Sequence, residues 1–132
     1  MSYRVVVMDD EADILRLVRI KLEKEGFEVI TAVDGEEGVS KILKERPDIM
    51  IVDVLMPKKD GYEVLAEVRE KMGKRAPIAI VLSARAEAKD ITKGLIGGAD
   101  DYITKPFSPR ELIERINVAL IRKGKKPVSF RK

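Results

Sequence analysis

The sequence has no cysteine, no histidine and no tryptophan, and few aromatic residues of any kind. The lack of histidine excludes imidazole metal sites and imidazole general bases. The lack of cysteine fits a reducing, cytoplasmic setting, where disulfides are rare. With so few aromatics, the core has to be built from aliphatic side chains. No apolar run approaches the roughly 18 residues that a membrane-spanning helix needs. The amino terminus does not read as a secretory signal, because Val5–Met8 is too short and runs straight into acid.

What is present in quantity is charge, and its imbalance is local. The net charge is +3, but residues 122–132 hold six Lys and Arg and no acid, so the body without them would be slightly acidic. The basic balance is therefore no nucleic-acid signature, and direct nucleic-acid binding by this chain is not expected. A chain of 132 residues suits one domain that buries roughly two-thirds of its unfolded surface. We place that domain at residues 1–123 and read 124–132 as a basic tail that frays or leads out of it.

Along the chain, apolar runs with strand character alternate with stretches of helical period. Tyr3–Met8 is β-rich and ends on Asp9-Asp10-Glu11. Ile14, Leu15, Leu17, Val18, Ile20 and Leu22 then recur at helical spacing, and Gly26 closes that helix. Phe27–Ala32 is a β-branched strand, and Asp34 with Glu37 reads as the cap of a helix that stops before Pro47. Ile49–Asp53 is apolar up to its last residue, as a strand buried on both faces should be. Asp60 with Glu63 caps a third helix, Gly73 to Pro77 is a loop, and Ile78–Leu82 is another fully apolar strand. A weakly amphipathic helix over Lys89–Ile96, a short strand at Tyr102–Thr104, and a last helix opened by Ser108-Pro109-Arg110-Glu111 complete the series. Five βα units predict a doubly wound α/β fold, with a parallel sheet and helices on both faces.

A parallel sheet points all its strand ends to one edge, and that edge is where such sheets bind ligands. It would collect Asp9 and Asp10 after the first strand, Asp53 after the third, Ser83 after the fourth and Lys105 after the fifth. Singly, each has a bland reading: Asp9, Asp10 and Asp53 as caps, Ser83 as a strand-end hydroxyl, Lys105 as a solvated amine. Together they do not. Three carboxylates repel one another unless a cation neutralises them. Oxygen donors without His or Cys favour Mg²⁺, which keeps coordination positions free for phosphate oxygens. A lysine and a hydroxyl beside it supply donors for an anion. Such a set is a phosphoryl site with one aspartate as nucleophile.

These residues resemble the receiver domain of two-component response regulators, over about Tyr3–Lys123. The matching motifs are Asp9-Asp10-Glu11, Asp53-x-x-Met56-Pro57-x-x-Asp60-Gly61, Ser83-Ala84, and Gly98-Ala99-Asp100-Asp101-Tyr102-x-x-Lys105-Pro106-Phe107. The resemblance implies a five-stranded, flavodoxin-like sheet in the order 2-1-3-4-5 with five helices. It implies that Asp53 takes a phosphoryl group from a phosphohistidine on a sensor histidine kinase. Asp10 and Asp53 would hold Mg²⁺ directly, Asp9 through a water, and Leu55 through its backbone carbonyl. Lys105 and Ser83 would contact the phosphoryl oxygens, Tyr102 would turn inward with Ser83, and the Lys105–Pro106 bond would be cis. Such a protein is a switch that controls an effector or partner, and it catalyses only its own phosphoryl transfer and dephosphorylation. A magnesium-dependent phosphatase is the competing reading, but those enzymes space their two aspartates two residues apart, and here Asp9 and Asp10 are adjacent.

The segment Gly98–Arg115 is similar to receivers that carry a winged-helix DNA-binding domain and dimerise through the fourth helix, fifth strand and fifth helix. Asp101 and Arg115 match one cross-subunit ion pair of that interface. Glu111 and Asp100 match the acids of two others, but their partner positions hold Ile91 and Asn117. A weaker or differently built homodimer is expected. Leu55, two residues past Asp53, cannot hydrogen-bond an attacking water, so the phosphoryl group should be lost slowly.

Overall fold

The computed structural model describes residues 2–84 and 87–128. The elements in chain order are β1 (Arg4–Met8), α1 (Ala12–Lys24), β2 (Glu28–Ala32), α2 (Gly35–Glu45), β3 (Ile49–Asp53), α3 (Gly61–Met72), β4 (Ile78–Ser83), α4 (Ala88–Ile96), β5 (Asp101–Thr104) and α5 (Pro109–Arg122). A single 3₁₀ turn, Gly73–Arg75, interrupts the loop expected after α3. The strands form one parallel sheet in the order β2-β1-β3-β4-β5. None of the described helices is long and apolar enough to cross a membrane.

The alternation of side chains along each strand builds two cores. Val5, Val7, Ile49, Ile51, Ile80 and Leu82 face α1 and α5, where Leu15, Val18, Leu22, Leu112, Ile116 and Leu120 meet them. Val6, Met8, Met50, Val52, Ala79 and Val81 face the other way, against Val39 and Ile42 of α2 and Val64, Leu65 and Val68 of α3. A strand in the middle of such a sandwich must be apolar at every position. β3 and β4 are buried throughout, whereas β2 lies at the edge and begins on an exposed glutamate.

Local signals set the helix ends. Asp60 accepts from the Glu63 N–H while Glu63 returns a bond to the Asp60 N–H, a complete reciprocal cap. Asp34 accepts from Glu37 in the same way, but the Glu37 carboxylate reaches the N–H of Val33. At α5 the cap is one-sided: Ser108 Oγ accepts from the Glu111 N–H, and the Glu111 carboxylate turns to Arg115. Neither Asp9 nor Asp10 occupies the N-cap of α1, which is Glu11. In the described part of the tail, Lys125, Lys126 and Val128 bond back to the domain and Val128 packs on the α1–α5 core; residues 129–132 of the expected tail lie outside the described residues.

Candidate functional site

The parallel register carries the site. Met8 pairs with Val52, so the residues that follow, Asp9 and Asp53, leave adjacent strands side by side. Asp53 pairs with Leu82 and Ser83 with Thr104, which sets Ser83 and Lys105 at the same edge. Asp9 is 1 % exposed, Asp53 6 % and Ser83 1 %, whereas Asp10 is open to solvent. One carboxylate oxygen from each of Asp9, Asp10 and Asp53 lies within 4.8 Å of the others. Gly61 lets α3 start hard against this edge: a Cβ there would sit 2.7 Å from the Asp53 carbonyl oxygen, and its N–H bonds Val54 at 2.9 Å.

The Lys105 ammonium bridges the acids. It donates to Asp9 Oδ2 at 2.9 Å and to Asp53 Oδ2 at 3.3 Å, with Glu11 at 3.8 Å. Its backbone N–H bonds the Ser83 carbonyl at 2.7 Å, and the Lys105–Pro106 peptide is cis. The other oxygen of Asp9, Oδ1, accepts from the Glu11 N–H, so both of its oxygens are engaged. Burial, then the charge of Asp9, push the Asp53 carboxyl from its usual 3.8 up to about 6, against the pull of Lys105 and a backbone bond from Leu55. Burial also works against the Lys105 charge, but the bond and charge of Asp9, with Asp53 behind them, hold its ammonium above the usual lysine range.

The raised carboxyl of Asp53 marks a charge that is costly in this setting, first through burial and then through Asp9, and that one lysine does not fully offset. The donors are all oxygen, two acids are fixed and the third is solvated. That set fits a hard divalent cation that keeps part of its water shell. Leu55 is 55 % exposed.

Tyr102 is 6 % exposed, with its ring against Gly94 of α4, where a Cβ would lie 2.8 Å from the ring. The ring already points inward in this structure. The acids of the expected dimer face are held within the chain. Asp101 pairs with Arg115 at 3.0 Å, Arg115 also lies 3.6 Å from Glu111, and Asp100 pairs with Lys123 at 3.3 Å. Ile91 packs into the α2–α3 core, and the buried Asn117 binds the tail. The contacts of Glu11 with Lys105 and of Lys123 with Asp100, and the close approaches at Gly61 and Gly94, were not anticipated. The two ion pairs join segments far apart in the chain and the two approaches depend on how the backbone turns back on itself, so spacing gives no signal for them.

A family model described as "Response regulator receiver domain" matches residues 5–117. The alkaline phosphatase synthesis transcriptional regulatory protein PhoP of Bacillus subtilis (strain 168) is 45 % identical over 122 residues, which cover 92 % of this chain and 50 % of that protein. The chain thus spans about half the length of this curated relative. Among solved structures, a CheY-like receiver domain protein from Methanospirillum hungatei JF-1 superposes with a TM-score of 0.86 at 31 % identity, covering 94 % of this chain and 98 % of that one. CheY in the CheX–CheY–BeF3–Mg²⁺ complex of Borrelia burgdorferi superposes with a TM-score of 0.84 at 30 % identity, over 89 % of each chain. An acid cluster at the carboxyl edge of a 2-1-3-4-5 sheet, together with a family match over most of the length, leads to one assignment: the chain belongs to the response regulator receiver domain family.

Proposed function

We propose that this receiver domain is switched by phosphorylation of Asp53. The carrying observation is the setting of that carboxylate: 6 % exposed, grouped with oxygens of Asp9 and Asp10 within 4.8 Å, and 3.3 Å from Lys105 Nζ. An Asp53 oxygen attacks phosphorus, forming a P–O bond as the P–N bond to a kinase phosphohistidine breaks. The leaving imidazole nitrogen takes a proton from solvent. The phosphohistidine lies outside these 132 residues, which contain no histidine.

Asp10, Asp53 and the Leu55 carbonyl, with Asp9 through a water, would hold Mg²⁺, which would supply charge neutralisation at the acids and at the incoming phosphoryl oxygens. The chain's own groups do the rest. Lys105 leaves its acid partners for a phosphoryl oxygen, and the Ser83 hydroxyl donates to another. The new charge of about −1.5 to −2 draws the loop after β4 toward it. Tyr102 and the α4–β5–α5 face then settle into the form that an effector or partner reads. The domain turns over no separate substrate, and the only reactions it promotes are its own phosphorylation and dephosphorylation.

An apolar cleft of about 420 Å³ opens beside Lys105, lined by Ile14, Leu17, Ala84, Pro106 and Phe107. We assign it to the kinase domain that presents the phosphohistidine, because Lys105 on its rim lies 3.3 Å from the attacking Asp53 carboxylate. The B. subtilis relative is named as a transcriptional regulator, and by that likeness the effector is a gene-regulatory domain or partner. Incubation with acetyl phosphate and Mg²⁺, followed by intact mass, tests the chemistry. Wild type should gain one phosphoryl group, and Asp53→Asn or chelation of the metal should abolish the gain. A gain that survives both changes rejects the reading.

A further inference from the structure

The end of α5 is not the end of the folded domain. Gly124, at φ +73°, turns the chain, and the Lys125 N–H returns to the Leu120 carbonyl at 2.8 Å. The backbone then crosses the α1–α5 side of the molecule. The Tyr3 hydroxyl, just ahead of β1, donates to the Lys126 carbonyl. The Asn117 amide takes both polar groups of Val128: Nδ2 donates to its carbonyl, and its N–H donates to Oδ1, each at 2.8 Å. Pro127, between them, has no N–H to leave unmet. The Val128 side chain packs against the core cluster that includes Leu120 and Phe27.

Asn117 is out of place unless it serves this contact. It is 6 % exposed on the apolar stripe of α5, beside Ile116 and Leu120, which are wholly buried. Asparagine is a poorer helix former than alanine, and a buried amide without partners costs far more. A carboxamide presents a donor and an acceptor side by side, as a peptide group of an adjacent strand does. An aliphatic side chain offers neither, and a lysine offers only donors.

We propose that Asn117 is a backbone-reading anchor for the segment that follows α5. Lys125–Val128 is therefore a docked strap of this domain, and any chain continuing past Val128 sets out from beside Gly26 and the start of β1. This is the end of the sheet remote from Asp53. The strap is lodged by Ser2, Tyr3, Glu25 and Gly26, which together with it line a cavity of about 350 Å³. Because Asn117 stands on α5, that helix both belongs to the output face and fixes the exit of the chain. The inference needs only α5 and the strap and does not depend on phosphorylation.

Hydrogen exchange of the full-length chain, read amide by amide, tests it. The wild-type Val128 amide should exchange at least about tenfold more slowly than in a free peptide of the tail sequence. Asn117→Leu should remove that protection while β3 and β4 amides keep theirs. Should that variant be globally unstable, Tyr3→Phe offers a second route: it frees the Lys126 carbonyl outside the core and should speed Val128 exchange with the sheet unaffected. A Val128 amide at the free-peptide rate in wild type overturns the proposal. So does protection unchanged by either substitution.

Discussion

An ionised Asp53 works against the fold that holds it. Its carboxyl titrates at about 6 in the folded chain against an ordinary 3.8. A folded state that binds the proton more tightly is penalised as pH rises through that window, in full above about pH 7, and not at all below about pH 4. Asp53→Asn should therefore stabilise the metal-free protein at pH 7–8 by roughly 2–3 kcal/mol, since each pKa unit is worth about 1.4 kcal/mol. At pH 3.5 it should change little. Urea titrations at the two pH values measure this, and equal stability of the two proteins at pH 8 would refute the cost assigned to the buried, ionised Asp53. Added Mg²⁺ should raise the melting temperature of wild type more than that of the variant. Two residues further on, Leu55 offers a passing water no hydrogen bond, so the phosphorylated form should decay over minutes or longer once the donor is removed. Decay within seconds would show that another group activates the water. At this scale the sequence was readable where a side chain's place follows from a strand end, as for Asp9, Asp10, Asp53, Ser83 and Lys105. It was unreadable where a residue's partner lies far along the chain. Asn117 looked like a missing ion-pair partner, and only the folded tail shows what it binds.

Helices α4 and α5 differ in how firmly they are held. α5 buries six residues, from Leu112 to Leu120, whereas α4 buries only Gly94. α4 is thus the element best able to shift, and Gly94 is the point at which the Tyr102 ring would press on it. Leu95 and Ile96 of α4 and Val118 and Ile121 of α5 are exposed. We expect any homodimer on this face to rely on these apolar residues more than on charge, because Asp100, Asp101 and Glu111 have cations within the chain. Sedimentation of phosphorylated and unphosphorylated protein should then show at most a weak difference. A tight dimer formed only on phosphorylation would contradict that. The helix caps were legible from sequence to within one bond. Asp34, Asp60 and Ser108 all cap as read, but the return bonds at the first and last differ. A glutamate at N3 can turn to other partners, and at Glu111 the competitor is Arg115.

Across the whole molecule, the sheet turns five short apolar segments into one chemical edge. Its parallel, doubly wound class was legible from the βα alternation, and the burial of β3 on both faces from its unbroken apolar run. The carboxyl-edge cluster follows from the parallel direction alone. The strand order came with the family resemblance, and the structure agrees with it. The contacts of the tail were not legible, for a physical reason. Residues 125–128 have no periodicity, and they are held by backbone polar groups and a single valine, which leave no pattern in composition. The molecule therefore has a reactive end at Asp53 and a tethering end at the strap, with α5 and the sheet between them.

Borohydride reduction after treatment with acetyl phosphate and Mg²⁺ tests the central claim most directly, because it converts an acyl phosphate on aspartate to homoserine and so records its position. Peptide mass mapping should find homoserine at residue 53, and nowhere else. Homoserine at Asp9 or Asp10, or none at all in protein that has gained a phosphoryl group, would contradict the account.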